Sequence, residues 1–138
     1  MGRFRPIKLL CALLLALVVW MGLPAGVGAA PLEWRSVGTT AEGEQWWDAG
    51  SLRVGRDGQL TVLSRFRTAS DEADLEARPK LGTLYVMDLD CGQGLYRDTS
   101  IGGWPQFGAQ WQPAGGDPLI AAVLQAACDA GAPLLAAR

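Results

Sequence analysis

The chain opens with a continuous apolar run, Leu9 to Leu23, and then changes to short stretches in which apolar and polar residues alternate. Leu32 to Val37 sets Leu32, Trp34 and Ser36 against Glu33, Arg35 and Val37, which predicts a strand with one side toward a core. Trp46-Trp47 follows, and Asp48-Ala49-Gly50-Ser51 reads as a turn. Leu52 to Val54 and Leu60 to Phe66 flank Gly55-Arg56-Asp57-Gly58-Gln59, where Asp57-Gly58 is a hairpin signal because both positions tolerate positive φ. In the second of these strands Leu60, Val62, Ser64 and Phe66 share one face, and Thr61, Leu63, Arg65 and Arg67 the other. A sheet with one covered face and one wet face is expected.

Thr68 to Lys80 interrupts the rhythm with Asp71, Glu72, Asp74 and Glu76, and is expected to be a solvated loop with one helical turn around Asp71 to Ala77. Alternation resumes over Leu81 to Cys91, with Thr83, Tyr85, Met87, Leu89 and Cys91 on one face. Cys91-Gly92-Gln93-Gly94 turns the chain, Leu95 to Thr99 returns antiparallel, and a last strand spans Phe107 to Gln112 after the Gly102-Gly103-Trp104-Pro105 loop.

The period changes to helical near the C-terminus. Asp117 is a good N-cap, Pro118 suits the first helical position, and Gly131 is the expected stop. Ile120, Leu124 and Cys128 recur at steps of four beside the row Leu119, Val123 and Ala127, so Cys128 falls on the apolar face. Gly131 to Arg138 is expected to be a loosely ordered tail. The predicted fold is α+β: an antiparallel sheet with a C-terminal helix packed on one face.

Targeting changes the arithmetic. The full chain has 138 residues, 12 Lys+Arg, 14 Asp+Glu, three cysteines and no histidine, for a net charge of -2. Arg3, Arg5 and Lys8 precede the apolar run, Pro24 and Gly26 break it, and Val27-Gly28-Ala29 places small residues where a signal peptidase reads. Residues 1–29 are therefore expected to be a signal peptide, and residues 30–138 a single domain that is periplasmic or secreted. An uncleaved N-terminal anchor is the alternative. Cys11 lies near the start of the apolar run, where a lipidation site would not be. Cleavage after Ala29 leaves 109 residues with 9 bases and 14 acids, net -5, and no further membrane span is expected.

The absence of histidine excludes a Ser-His-Asp or Cys-His catalytic arrangement and an imidazole zinc site. An acidic mature chain argues against a nucleic-acid partner. Cys91 and Cys128 remain as one pair in an oxidising compartment, with a disulfide between them as the expectation and two buried free thiols as the alternative. Closing that loop contributes about 4 kcal/mol in the chain-entropy account.

Other candidates reduce to structural roles. Asp88-Leu89-Asp90 resembles the start of a calcium loop, but position twelve is Thr99 where a bidentate Glu is required, so no metal is expected. Glu42, Glu44 and Asp48 include no pair whose spacing selects a general acid and base, and a domain this small leaves little room for a deep cleft. No catalytic residue and no cofactor are expected. Trp34, Trp47 and Trp111 are assigned to packing, and Trp104, between Gly103 and Pro105, is the candidate for a binding surface.

The order of Trp34, Trp47-Asp48 before a short strand, Asp90-Cys91 ending a long strand, Trp111-x-Pro113, and a helix closing on Cys128 resembles the surface-adhesin protein E-like family. The likeness covers about Leu32 to Asp129. It implies an antiparallel sheet with a C-terminal helix held on it by the Cys91–Cys128 disulfide, in a small exported bacterial domain. The name-giving members attach cells to host matrix proteins. The resemblance carries no binding residue onto this chain. The implied function is a non-catalytic module that binds an extracellular or envelope protein. A structural periplasmic protein without a specific ligand and a small carbohydrate-binding module are the alternatives. Nothing in the sequence selects an oligomeric state.

Overall fold

The computed structural model describes Gly28, residues 30–73 and residues 81–138. The expected signal peptide, residues 1–29, lies outside the described residues apart from Gly28, as do residues 74–80 of the acidic stretch. The remainder forms one antiparallel sheet in meander order. Its strands are β1 (Trp34–Thr39), β2 (Gly43–Val54), β3 (Leu60–Thr68), β4 (Thr83–Asp90), β5 (Leu95–Ile101) and β6 (Trp104–Pro105). A further short strand, β7 (Gln112–Pro113), shares the outer edge of β5 with β6. A short helix, α1 (Ala69–Ala73), follows β3, and a 3-10 turn at Ala114–Gly116 leads into the long helix α2 (Pro118–Ala136).

Register puts the alternating residues where the pattern requires. Leu60 pairs with Leu89, Val62 with Met87, and Ser64 with Tyr85, so one face of β3 and β4 is nearly all apolar. Trp47, Leu60, Val62, Met87 and Leu89 form the core with Val123 and Ala127 of α2. Full burial of an aliphatic side chain of this size stabilises by about 1.5–3 kcal/mol.

Asp117 caps α2, its Oδ1 accepting from the amides of Leu119 (2.8 Å) and Ile120 (3.1 Å). The buried row of α2 is Leu119, Val123, Ala127 and Gly131, with Ile120, Leu124 and Cys128 partly covered beside it. Side-chain size along this row falls step by step, from Leu to Val to Ala to Gly. The helix therefore meets the sheet most closely at its C-terminal end, where Gly131 lies against Leu60. At the other end Leu119 reaches toward Gly38 of β1. Cys91 and Cys128 form a disulfide, with Cα atoms 5.7 Å apart, that ties α2 to the end of β4.

Five local expectations are corrected. Asp48-Ala49-Gly50-Ser51 is not a turn but an irregular stretch within a continuous β2, where the register against β3 jumps between Asp48 and Arg53. The Asp48 carboxylate holds this bulge by accepting from the amides of Glu33 (2.6 Å) and Gly50 (3.0 Å), and Ser51 Oγ accepts from Leu63 N–H. Residues 107–111 are not a strand; pairing is confined to β6 and β7 on either side of them. The helical turn begins earlier than expected, at Ala69.

The helix also does not stop at Gly131. It runs through Pro133 to Ala136, because Gly131 serves the close contact with Leu60 and not a reversal of the chain. Nor is the C-terminus loose: Arg138 Nη2 donates to the Arg56 carbonyl at the β2–β3 turn, at 3.1 Å. By length and hydropathy α2 could cross a bilayer, yet in this fold its buried row lies on the sheet.

Candidate functional site

Trp104 begins β6, immediately after the two-residue turn Gly102-Gly103. Both glycines have positive φ, +58° and +87°, the geometry that a tight hairpin demands and that other residues resist. The turn is anchored by the Gly102 amide, which donates to the Leu84 carbonyl at 2.7 Å. Beyond it, Gln106 N–H donates to the Thr99 carbonyl at 2.9 Å, and Ala109 N–H to the Gln106 carbonyl at 3.3 Å. A backbone held this way presents two large apolar side chains to solvent. Trp104 is 78% exposed and Phe107 95% exposed.

Phe107 did not stand out in the sequence because it was assigned to a strand. Its signal is its place one residue before Gly108, a positive-φ position that turns the chain and leaves no alternating partner.

The face of the sheet away from α2 is built differently. Arg65 lies over the Trp34 ring at 4.2 Å, Arg67 over Trp46 at 5.1 Å, and Arg97 over Trp111 at 4.5 Å. Two of these arginines are also held by carboxylates. Arg67 pairs with Glu44 at 3.4 Å, and Arg97 donates through Nε and Nη2 to Asp88 Oδ2 at 3.1 and 2.9 Å. Asp88 Oδ1 accepts from Thr61 Oγ1 at 2.7 Å, so the buried carboxylate is satisfied on both sides. Each tryptophan on this face has a guanidinium laid across it, which covers apolar area with a charged group that remains hydrated at its rim.

The assignment of Trp34, Trp47 and Trp111 to packing therefore divides. Trp47 is in the core, whereas Trp34 is half-buried under Arg65 and Trp111 remains 37% exposed beneath Arg97.

Two of the three carboxylates weighed for acid-base chemistry, Asp48 and Glu44, have structural partners. Asp48 holds the β2 bulge, and Glu44 accepts from Ser36 Oγ as well as pairing with Arg67. Asp90 closes the β4–β5 turn by accepting from the amide and side chain of Gln93, both at 3.0 Å. Among the described residues no group of three or more Cys, Asp or Glu side chains is placed to hold a metal ion.

The model of the surface adhesin-E family matches residues 35–134, from β1 to the last turn of α2. The chain belongs to the surface adhesin-E family. No curated protein and no solved structure matches it. The family is one of surface adhesins, and the match covers nearly the whole sheet, the disulfide and most of the helix.

In this adhesin-E chain the perturbed titratable groups lie away from the Trp104–Phe107 apex. Burial raises the Asp98 carboxyl above its ordinary value. Burial, followed by the negative charge of Asp98, raises the phenols of Tyr85 and Tyr96, and Asp117 adds to the rise at Tyr96. These three side chains share the helix-facing side of β4 and β5, beneath the first turn of α2.

Proposed function

We propose that this surface adhesin-E protein is exported by residues 1–29, is released as residues 30–138, and binds a protein or envelope component through the Trp104–Phe107 apex. The observation that carries this reading is the pair of aromatic side chains exposed on a loop whose backbone is hydrogen-bonded in place. Large exposed apolar groups on a rigid support lose little conformational entropy on association, and such groups dominate interface energetics. Trp34, Trp46 and Trp111 are already occupied by arginines of the same chain, which makes the apex the better contact surface.

The test is photo-crosslinking in the native envelope with benzophenylalanine at position 107, followed by identification of the joined species. A crosslinked protein that disappears when Trp104→Ser is added supports the reading. Labelling no greater than that from the same probe at Gln125, on the exposed side of α2, overturns it.

A further inference from the structure

The tapering contact between α2 and the sheet leaves a cleft of about 580 Å³ at the wide end, under the first turn of the helix. That volume lies within the range of sites for small organic ligands. Its walls bring together the rings of Phe66, Tyr85 and Tyr96 from three strands. Asp98 enters from β5, and its Oδ1 is withdrawn from solvent without a hydrogen-bond donor. A buried carboxylate oxygen in that state is costly, and among the described residues that line the cleft no group is placed to offset the charge.

The sign of the missing partner follows from the lining. Glu42, Asp98 and Asp117 all border the cleft, and among the described residues that line it there is no base. The helix N-terminus does not reverse this sign, because the amides of Leu119 and Ile120 are already taken by the Asp117 side chain. An anion is thus disfavoured. A divalent metal is a poor fit, since Asp117 is committed to its cap and no cluster of three ligating side chains is assembled among the described residues. What suits a carboxylate set among aromatic rings is an organic cation that can donate a hydrogen bond and pack an alkyl stem against ring faces.

We infer that the cleft beneath the first turn of α2 binds a primary alkylammonium group, with Asp98 as its counter-ion and Tyr85, Tyr96 and Phe66 as its walls. The ammonium comes from a lysine side chain of a partner protein or from a free amine. Burial raises the pKa of Asp98 by penalising its unpaired charge, a cost that an ammonium partner in the cleft would offset. This site is independent of the Trp104–Phe107 reading, and neither the probes nor the variants below touch that apex.

Calorimetric titration of the mature protein with butylammonium chloride, against tetramethylammonium chloride at equal ionic strength, tests the inference. Butylammonium is expected to bind saturably and at least tenfold more tightly than tetramethylammonium, which has no N–H to donate. Asp98→Asn should weaken binding at least tenfold, and Tyr96→Leu should weaken it while leaving the carboxylate in place. A parallel titration with N-acetyl-lysine-N-methylamide identifies the source: tighter binding than butylammonium marks a protein side chain, and weaker binding marks a free amine. Absence of saturable binding, equal binding of tetramethylammonium, or unchanged affinity in Asp98→Asn overturns it.

Discussion

Leu60 Cδ1 lies 2.5 Å from the point where a Cβ on Gly131 would stand, closer than real Cβ contacts come. An alanine in a helix interior is ordinarily about 1 kcal/mol better than glycine. Here the sign is expected to reverse. Gly131→Ala should destabilise the protein by about 1–3 kcal/mol, the usual cost of overpacking a core. Urea denaturation reads the loss, and Gly131→Ala combined with Leu60→Val should recover part of it relative to the sum of the single changes. A stabilised Gly131→Ala variant would show that the interface with Leu60 has room for a methyl group and that the glycine does not serve the contact.

The disulfide closes a loop with a sequence separation of 37. Intact mass of the exported protein is expected to be two hydrogens below that of the reduced chain. Replacing both Cys91 and Cys128 by Ser should cost about 4 kcal/mol in the chain-entropy account. Thermal melts with and without reductant check the size. An unchanged melting temperature in reductant, with reduction verified by alkylation, would mean that α2 is held by packing alone.

Arg97 joins Asp88, which is buried, to the open face through two hydrogen bonds. Arg97→Ala leaves that carboxylate with Thr61 as its remaining side-chain partner and uncovers the Trp111 ring. The expected loss is about 1.5–3 kcal/mol, typical of a hydrogen bond to a charged group. Red-shifted Trp fluorescence should accompany it. Asp88→Asn in the same background should restore some stability, because the unpaired charge is then gone.

For Asp98 the folded pKa stands above the unfolded one, so the ionised carboxylate is penalised in the native state. Between the two values the native state holds more protons than the unfolded state, and stability falls as pH rises through that window. Asp98→Asn is therefore expected to be more stable than the parent at neutral pH. The difference should shrink as pH falls through the raised value toward the ordinary carboxylate range. Melting temperature against pH for both proteins provides the test, and parallel curves across that range would refute it.

The parts of the fold that were legible are those whose causes are local. Asp57-Gly58 marks its hairpin, Asp117 and Pro118 mark the start of α2, and alternation over Leu60–Phe66 and Tyr85–Leu89 places the core face. The failures share a different cause. Asp48-Ala49-Gly50-Ser51 has turn composition, but the Asp48 carboxylate accepts from Glu33, fifteen residues earlier, and keeps β2 continuous. Gly131 and Pro133 are helix breakers in isolation, yet the first is required by Leu60 across the interface.

At the candidate sites, Trp104 was visible from the glycines before it, whereas Phe107 was absorbed into a strand that does not form. Asp98 follows Tyr96 by two and so shares its face. Its meaning depends on how far the helix stands off the sheet above it, and no local pattern records that distance.

The graded row Leu119, Val123, Ala127, Gly131 gives the molecule a clasped end and an open end. The cystine, the Gly131–Leu60 contact and the Arg138 hydrogen bond all act at the clasped end. Asp98 and its aromatic neighbours sit at the other. Such a division separates durability from recognition. Residues at the mouth can be exchanged to suit a different guest without loosening the fastening that holds the helix on the sheet.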